Sequence, residues 1–124
     1  MDRSVRDLMT ELPHTIGNDI SIKKASEMMH EHHCHHLPVL HGGHLVGLLS
    51  QRDLKMAAAG SNNEDLKVEA LMSDDPFVVK GNTPVRSVIE KMMADQMGSV
   101  IIQGEADKPW GIFTTNDALK LLVT

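Results

Sequence analysis

The chain has 124 residues, 41% of them hydrophobic and 23% charged, with a formal net charge of −5 when histidine is neutral. That length holds one domain, or two small halves sharing a core, and the acidic balance argues against a non-specific binder of nucleic-acid backbone, which would carry a basic surface. Aromatic residues make up only 2% of the chain, so the core must be aliphatic, with nine methionines to fill irregular gaps.

From the N-terminus, "VRDLMT" leads to a short apolar pair, Thr15-Ile16, read as a first strand. A helix is expected over 22–33, followed by strands over 37–40 and 45–49. Between those strands His41-Gly42-Gly43-His44 reads as a hairpin turn, with the two glycines suited to positive φ. A helix over 52–59 follows, and Gly60-Ser61-Asn62-Asn63 breaks the pattern. "VEALMS" then opens a second series. Phe77-Val78-Val79 is a short β-rich run. Thr83 caps a helix whose first position is Pro84, with an apolar stripe of Val85, Val88, Ile89, Met92 and Met93. Gly98 is expected to end that helix as a C′ glycine. Strands over 99–102 and 110–113 and a final helix from Asn116, carrying Leu119, Leu122 and Val123, complete the chain.

The second series is the first written again. At an offset of 63, Val5-Arg-Asp-Leu-Met-Thr10 falls on Val68-Glu-Ala-Leu-Met-Ser73, and Thr15-Ile16 on Val78-Val79. Met29 falls on Met92, and Leu37 and Val39 on Val100 and Ile102. After one extra residue in the second hairpin, Gly47, Ser50 and Asp53 fall on Gly111, Thr114 and Asp117. Two copies make a duplicated domain, not a solenoid. The fold class is therefore α+β, with two βαββα repeats. The repeats are assigned to 1–60 and 68–124, with a linker over 61–67. A unit this small cannot cover both faces of its sheet, so sheet-to-sheet packing of the copies with pseudo-two-fold symmetry is expected.

The segments "GLLSQRD" and "GIFTTND" share Gly-x-x-Ser/Thr-x-x-Asp at the end of a strand and the start of a helix. Such a junction presents free N–H groups and a positive dipole end to an anion. The glycine lets backbone or ligand approach closely, and an ionised aspartate accepts strong hydrogen bonds from hydroxyls. The same spacing also makes a helix capping box, and capping and ligand contact can share one helix end.

Together, "VRDLMT", "HHLPVL" with "HLVGLLSQRDL", and "VEALMS" with "WGIFTTNDAL" resemble a tandem pair of cystathionine β-synthase (CBS) domains, the assembly called a Bateman module. The likeness runs from Val5 to about Leu122. It implies a regulatory sensor of adenosine ligands (AMP, ADP, ATP or S-adenosylmethionine), with Mg²⁺ as an accompanying ion. The ligand would lie in the inter-repeat cleft and signal to a partner protein by a conformational shift, and the module would form a homodimer through its helices. The resemblance places the hydroxyl on phosphate and the aspartate on ribose. In the first copy it implies contacts from Thr15, Ile16, His35, His36, Leu37, Pro38, Gly47, Ser50, Arg52 and Asp53. In the second it implies Val78, Val79, Gly98, Ser99, Val100, Gly111, Thr114, Asn116 and Asp117. His35, His36 and Arg52 have neutral counterparts in the second copy, so the first site is expected to favour charged phosphates.

Two other classes stay open: an interaction module with vestigial clefts, and a metal-binding protein. "HEHHCHHLPVLHGGH" offers His30, His33, Cys34 and His36 as metal-ligand candidates, but no spacing there makes four ligands converge. Cys34 matches Met97, a core-like slot. No Ser-His-Asp order, P-loop or metal motif supports an enzyme. With one cysteine, no apolar run near the ~18 residues of a membrane span and no signal peptide at Met1-Asp2-Arg3-Ser4, a soluble cytoplasmic protein in a reducing compartment is expected.

Overall fold

The computed structural model describes residues 3–60 and 65–123. Of the expected break at Gly60-Ser61-Asn62-Asn63, all but Gly60 lies outside them. The elements run α1 (Val5–Leu8), β1 (Thr10–Leu12), β2 (Ile16–Gly17), α2 (Ile22–His32), β3 (His36–His41), β4 (His44–Ser50) and α3 (Gln51–Gly60). A 3₁₀ turn (Val68–Ala70) is followed by β5 (Ser73–Asp74), β6 (Val78–Val79), α4 (Val85–Ala94), β7 (Ser99–Ile102), β8 (Trp110–Thr114) and α5 (Thr115–Lys120). The architecture is α+β with two repeats, as the duplicated pattern requires.

Two four-stranded sheets form, in the orders β2-β3-β4-β5 and β1-β8-β7-β6. In each, one short strand runs parallel to its neighbour (β2 on β3, β6 on β7) and the rest pair antiparallel. The edge strands are exchanged in sequence. β1, from the start of the chain, pairs with β8, and β5 pairs with β4. The compact units are consequently 14–76 and the combination of 1–13 with 77–124.

Backbone hydrogen bonds repeat this exchange. Val5 N–H donates to Thr83 O (2.9 Å) and Arg6 N–H to Gly81 O (3.1 Å), while Val68 N–H donates to Ile20 O (2.8 Å) and Glu69 N–H to Asn18 O (3.1 Å). Every one of these positions maps onto its partner by the offset of 63. Each unit has its own aliphatic core. Leu37, Val39, Leu49 and Val68 are at 0% exposure in one, and Val5, Ile102 and Phe113 at 0% in the other.

Two helix-end expectations need correction. Pro84 has φ −60° but ψ 135°, so it is the residue before α4, which begins at Val85, and Thr83 is not the cap. Proline fixes φ alone. Here ψ is extended because Pro84 bridges Ser4, and the first helical N–H, of Val85, donates to Arg3 O at 2.8 Å. Nor does Gly98 end α4. Asp95 is the C-cap and Gln96, with φ 54°, makes the left-handed turn, just as His33 does at φ 53° after α2. The hairpin glycines Gly42 and Gly43 do take positive φ, at 56° and 83°. The last helix stops at Lys120, leaving Leu119, Leu122 and Val123 exposed.

Candidate functional site

Both Gly-x-x-Ser/Thr-x-x-Asp segments occupy the turn from the last strand of a unit into its following helix. Ser50 ends β4 and Thr114 ends β8. At each, the hydroxyl accepts the aspartate N–H (Asp53 to Ser50 Oγ, 3.1 Å; Asp117 to Thr114 Oγ1, 3.2 Å). The carboxylate accepts the Ser50 or Thr114 N–H in return, at 2.9 Å in both. These are reciprocal capping boxes, so the local sequence explains why helices α3 and α5 begin here.

Across the hairpins, His36 stands in register with Ser50, and Ser99 with Thr114. The segment before β3 is tied to the helix start through Gln51 N–H to His35 O (2.8 Å) and His35 Nδ1 with Gln51 Oε1 (2.8 Å). In the other unit Thr115 N–H donates to Gly98 O (3.0 Å). A side chain added at Gly98 would meet nothing within 4 Å, so the space that His35 fills in one unit is open in the other. Arg52 and Asn116 are exposed. Ile16, Leu37, Pro38 and Val100 are buried, Ile16 and Leu37 in one core and Val100 in the other, so at most their backbones face a ligand. Thr15, Val78 and Val79 are half-buried.

The motif glycines serve close approaches within the chain. A Cβ on Gly47 would collide with Met72 Sδ and lie 2.9 Å from Ser73 O. On Gly111 it would collide with Met9 Sδ and lie 2.8 Å from Met9 Cγ. The exchanged edge segments press a thioether onto each glycine, so the missing side chain makes room for the protein itself.

Sequence reasoning missed the residues around Asp117. Thr10 Oγ1 donates to Asp117 Oδ1 (3.2 Å), Thr114 Oγ1 donates to Oδ2 (3.0 Å), and Lys120 Nζ lies 3.6 Å from Oδ1. Asp117 is buried to 7% exposure. The repeat alignment already set Thr10 beside Ser73, but only the strand pairing of β1 with β8 brings it to Asp117.

Among the described residues no group of three or more His, Cys, Asp or Glu side chains is placed to hold an ion. Instead His14 stacks on His32 with ring centroids 3.8 Å apart, and His41 Nδ1 meets Asn18 Oδ1 at 3.1 Å. Burial pushes the Cys34 thiol above its ordinary pKa, against a smaller opposing effect of a backbone hydrogen bond. No helix among the described residues is long and apolar enough to cross a membrane.

Paired strand–helix units with twin capped junctions define a duplicated α+β module. The CBS domain model matches residues 5–60 and 68–124, and the chain belongs to that family. It is 28% identical to a CBS domain-containing protein of Dictyostelium discoideum, over 96% of this chain and 90% of that protein. It is 27% identical to an L-aspartate semialdehyde sulfurtransferase of Methanocaldococcus jannaschii, over 94% of this chain but only 23% of the enzyme. Among solved structures, the CBS domain pair of protein MJ0100, in complex with 5′-methylthioadenosine and S-adenosyl-L-methionine, superposes with a TM-score of 0.77 at 26% identity. That match covers 99% of this chain and 98% of the other. A conserved protein from Pyrococcus horikoshii matches with a TM-score of 0.77 at 27% identity, over 100% of this chain and 95% of that one.

Proposed function

We propose that this chain is a regulatory module that binds an adenosine ligand at its strand-to-helix junctions and passes the bound state to a partner protein by population shift. The observation that carries the reading is the repeated Gly-x-x-Ser/Thr-x-x-Asp junction, in a chain that aligns almost end to end with a CBS pair solved with two adenosyl compounds. In this reading Ser50 meets phosphate and Asp53 meets ribose, with His35, His36 and Arg52 adding donors for charged phosphates. The sulfurtransferase match, confined to 23% of that enzyme, supports a regulatory role over catalysis.

A thermal-shift panel of AMP, ADP, ATP with and without Mg²⁺, S-adenosylmethionine, 5′-methylthioadenosine and NAD tests it. A ligand that binds only the folded chain raises the melting temperature by mass action, by the equivalent of ~2.7 kcal/mol at a hundred times Kd. A flat panel at millimolar concentrations refutes the adenosine reading and leaves an interaction module.

The homodimer belongs to the same proposal. Met93 (75% exposed) lines a groove of about 250 Å³ with Ile89, Met92, Met97 and Ala118, beside the polar Gln96 and Thr115, a largely apolar surface of the kind that marks association sites. Met93→Glu should shift sedimentation from dimer to monomer, and a wild-type monomer at tens of micromolar would count against it.

A further inference from the structure

The two junctions share a motif but not a state of bonding. A carboxylate offers about four acceptor directions, and at Asp117 three take hydrogen bonds while a lysine ammonium faces one oxygen. Oδ2 accepts Thr114 N–H (2.9 Å) and Thr114 Oγ1–H (3.0 Å), and Oδ1 accepts Thr10 Oγ1–H (3.2 Å) and faces Lys120 Nζ (3.6 Å). At Asp53, Oδ2 accepts Ser50 N–H (2.9 Å), and Oδ1 has no donor among the described residues. The hydroxyls differ too. Thr114 gives its proton to the carboxylate, whereas Ser50 Oγ accepts Asp53 N–H (3.1 Å) and its own proton meets no acceptor among the described residues.

One contrast is of sequence: Lys120 takes the place of Met56, which has no charge to offer and is 66% exposed. The other is of reach: Thr10 and Ser73 both carry a hydroxyl, but only that of Thr10 bonds its carboxylate among the described residues. The equivalent strand registers, Thr10 opposite Ile112 and Ser73 opposite Leu48, show that the edge segments enter alike. The contrast therefore lies in the side chains and not in the backbone: the Thr10 hydroxyl reaches Asp117, and no such bond joins Ser73 to Asp53.

We infer that only the Ser50/Asp53 junction takes a ribose diol and an adjacent phosphate, so the chain binds one adenosine ligand, and that Thr10 occludes the second junction by holding the carboxylate a second ribose would need. A vicinal diol must place two O–H donors on one carboxylate. At Asp53 that needs no protein bond broken, whereas at Asp117 the Thr10 bond must be given up. Thr10 is thus a specificity-determining residue acting through Asp117. The inference rests on the adenosine reading above and adds to it the stoichiometry.

Isothermal titration with 5′-methylthioadenosine and with AMP tests it. The wild type is expected to bind one equivalent per chain, and Asp53→Asn to weaken binding at least tenfold. Thr10→Val, which keeps the shape but removes the donor, should add a second, weaker binding event, and a Thr10→Val variant that stays at one equivalent overturns the role given to Thr10. Two equal sites in the wild type, or unchanged affinity in Asp53→Asn, overturn the inference while leaving the adenosine reading standing. A wild type that binds neither compound refutes that reading instead. The inequality is then decided without ligand: Asp117→Asn must lower the melting temperature more than Asp53→Asn, and equal losses overturn it.

Discussion

Replacing Gly47 by alanine separates two explanations of the motif glycine. If the glycine exists to admit a ligand, Gly47→Ala changes affinity and leaves stability alone. The structure gives the opposite expectation. Neither Gly47 nor Gly111 has a positive φ, so alanine is not strained at either, and the stiffer unfolded chain alone would stabilise the variant by about 0.4–1 kcal/mol. Against that, the new methyl at position 47 overlaps Met72 Sδ and stands 2.9 Å from Ser73 O. The thioether can swing aside, but the carbonyl belongs to β5 and moves only with its strand. Overpacking of this kind costs about 1–3 kcal/mol, and a clash with backbone belongs at the upper end. At Gly111 the nearest atoms all belong to the flexible Met9 side chain, so the cost belongs at the lower end and is nearly offset by the unfolded-state gain.

Gly47→Ala should therefore lose about 2 kcal/mol net, and Gly111→Ala between zero and about 1 kcal/mol. For a domain of this size that is roughly 3–6 °C of melting temperature per kcal/mol. Urea midpoints on the two single variants, with Met9→Ala and the Gly111→Ala/Met9→Ala double, form a cycle whose coupling measures the contact. Coupling near zero, or Gly111→Ala costing more than Gly47→Ala, would refute the packing argument.

Arg6 donates to the carbonyls of Gln103 (3.0 Å) and Pro109 (3.4 Å), and its guanidinium lies where a Cβ on Gly81 would be. Arg6→Met should cost about 1–2 kcal/mol, with faster amide exchange over residues 103–109; unchanged exchange there would show the loop holds itself. Because the raised thiol pKa disfavours the thiolate in the folded chain, Cys34 should alkylate more slowly with iodoacetamide at pH 8 than in urea-unfolded protein. The folded state binds that proton more tightly, so its stabilising contribution is full below the unfolded thiol pKa and declines as pH rises through the folded value. Equal alkylation rates in the two states would contradict the burial.

The periodicity placed α2 correctly to within a residue and located every hairpin strand, because alternating and 3.6-residue patterns report which face is buried. The errors at α4 share a cause. Thr83, Pro84 and Gly98 are good local signals, yet the segment around Ser4 supplied the acceptor for Val85 N–H and set the ψ of Pro84. Gln96 took the left-handed turn although it is not a glycine. Of the candidate site, the two capping boxes were legible because they lie within four consecutive residues. The occupation of Asp117 was not, because its donor Thr10 stands 107 residues away and arrives through a strand pairing that alternation cannot announce.

That distance has a structural logic. Each strand-to-helix junction is covered by the "LM" segment that precedes the opposite repeat in sequence: Met9 and Thr10 at the junction of 111–117, Met72 at that of 47–53. A chain cut at the repeat boundary would keep its motif and lose the strand that packs on the motif glycine. A chain running from His14 to Pro76 would keep both. The compact unit is therefore offset from the sequence repeat by one edge segment, and in one unit that segment brings Thr10 to Asp117. Residues outside the motif, Thr10 on the covering segment and Lys120 in the following helix, thus give Asp117 partners that Asp53 lacks among the described residues, without altering the Gly-x-x-Ser/Thr-x-x-Asp motif in either copy.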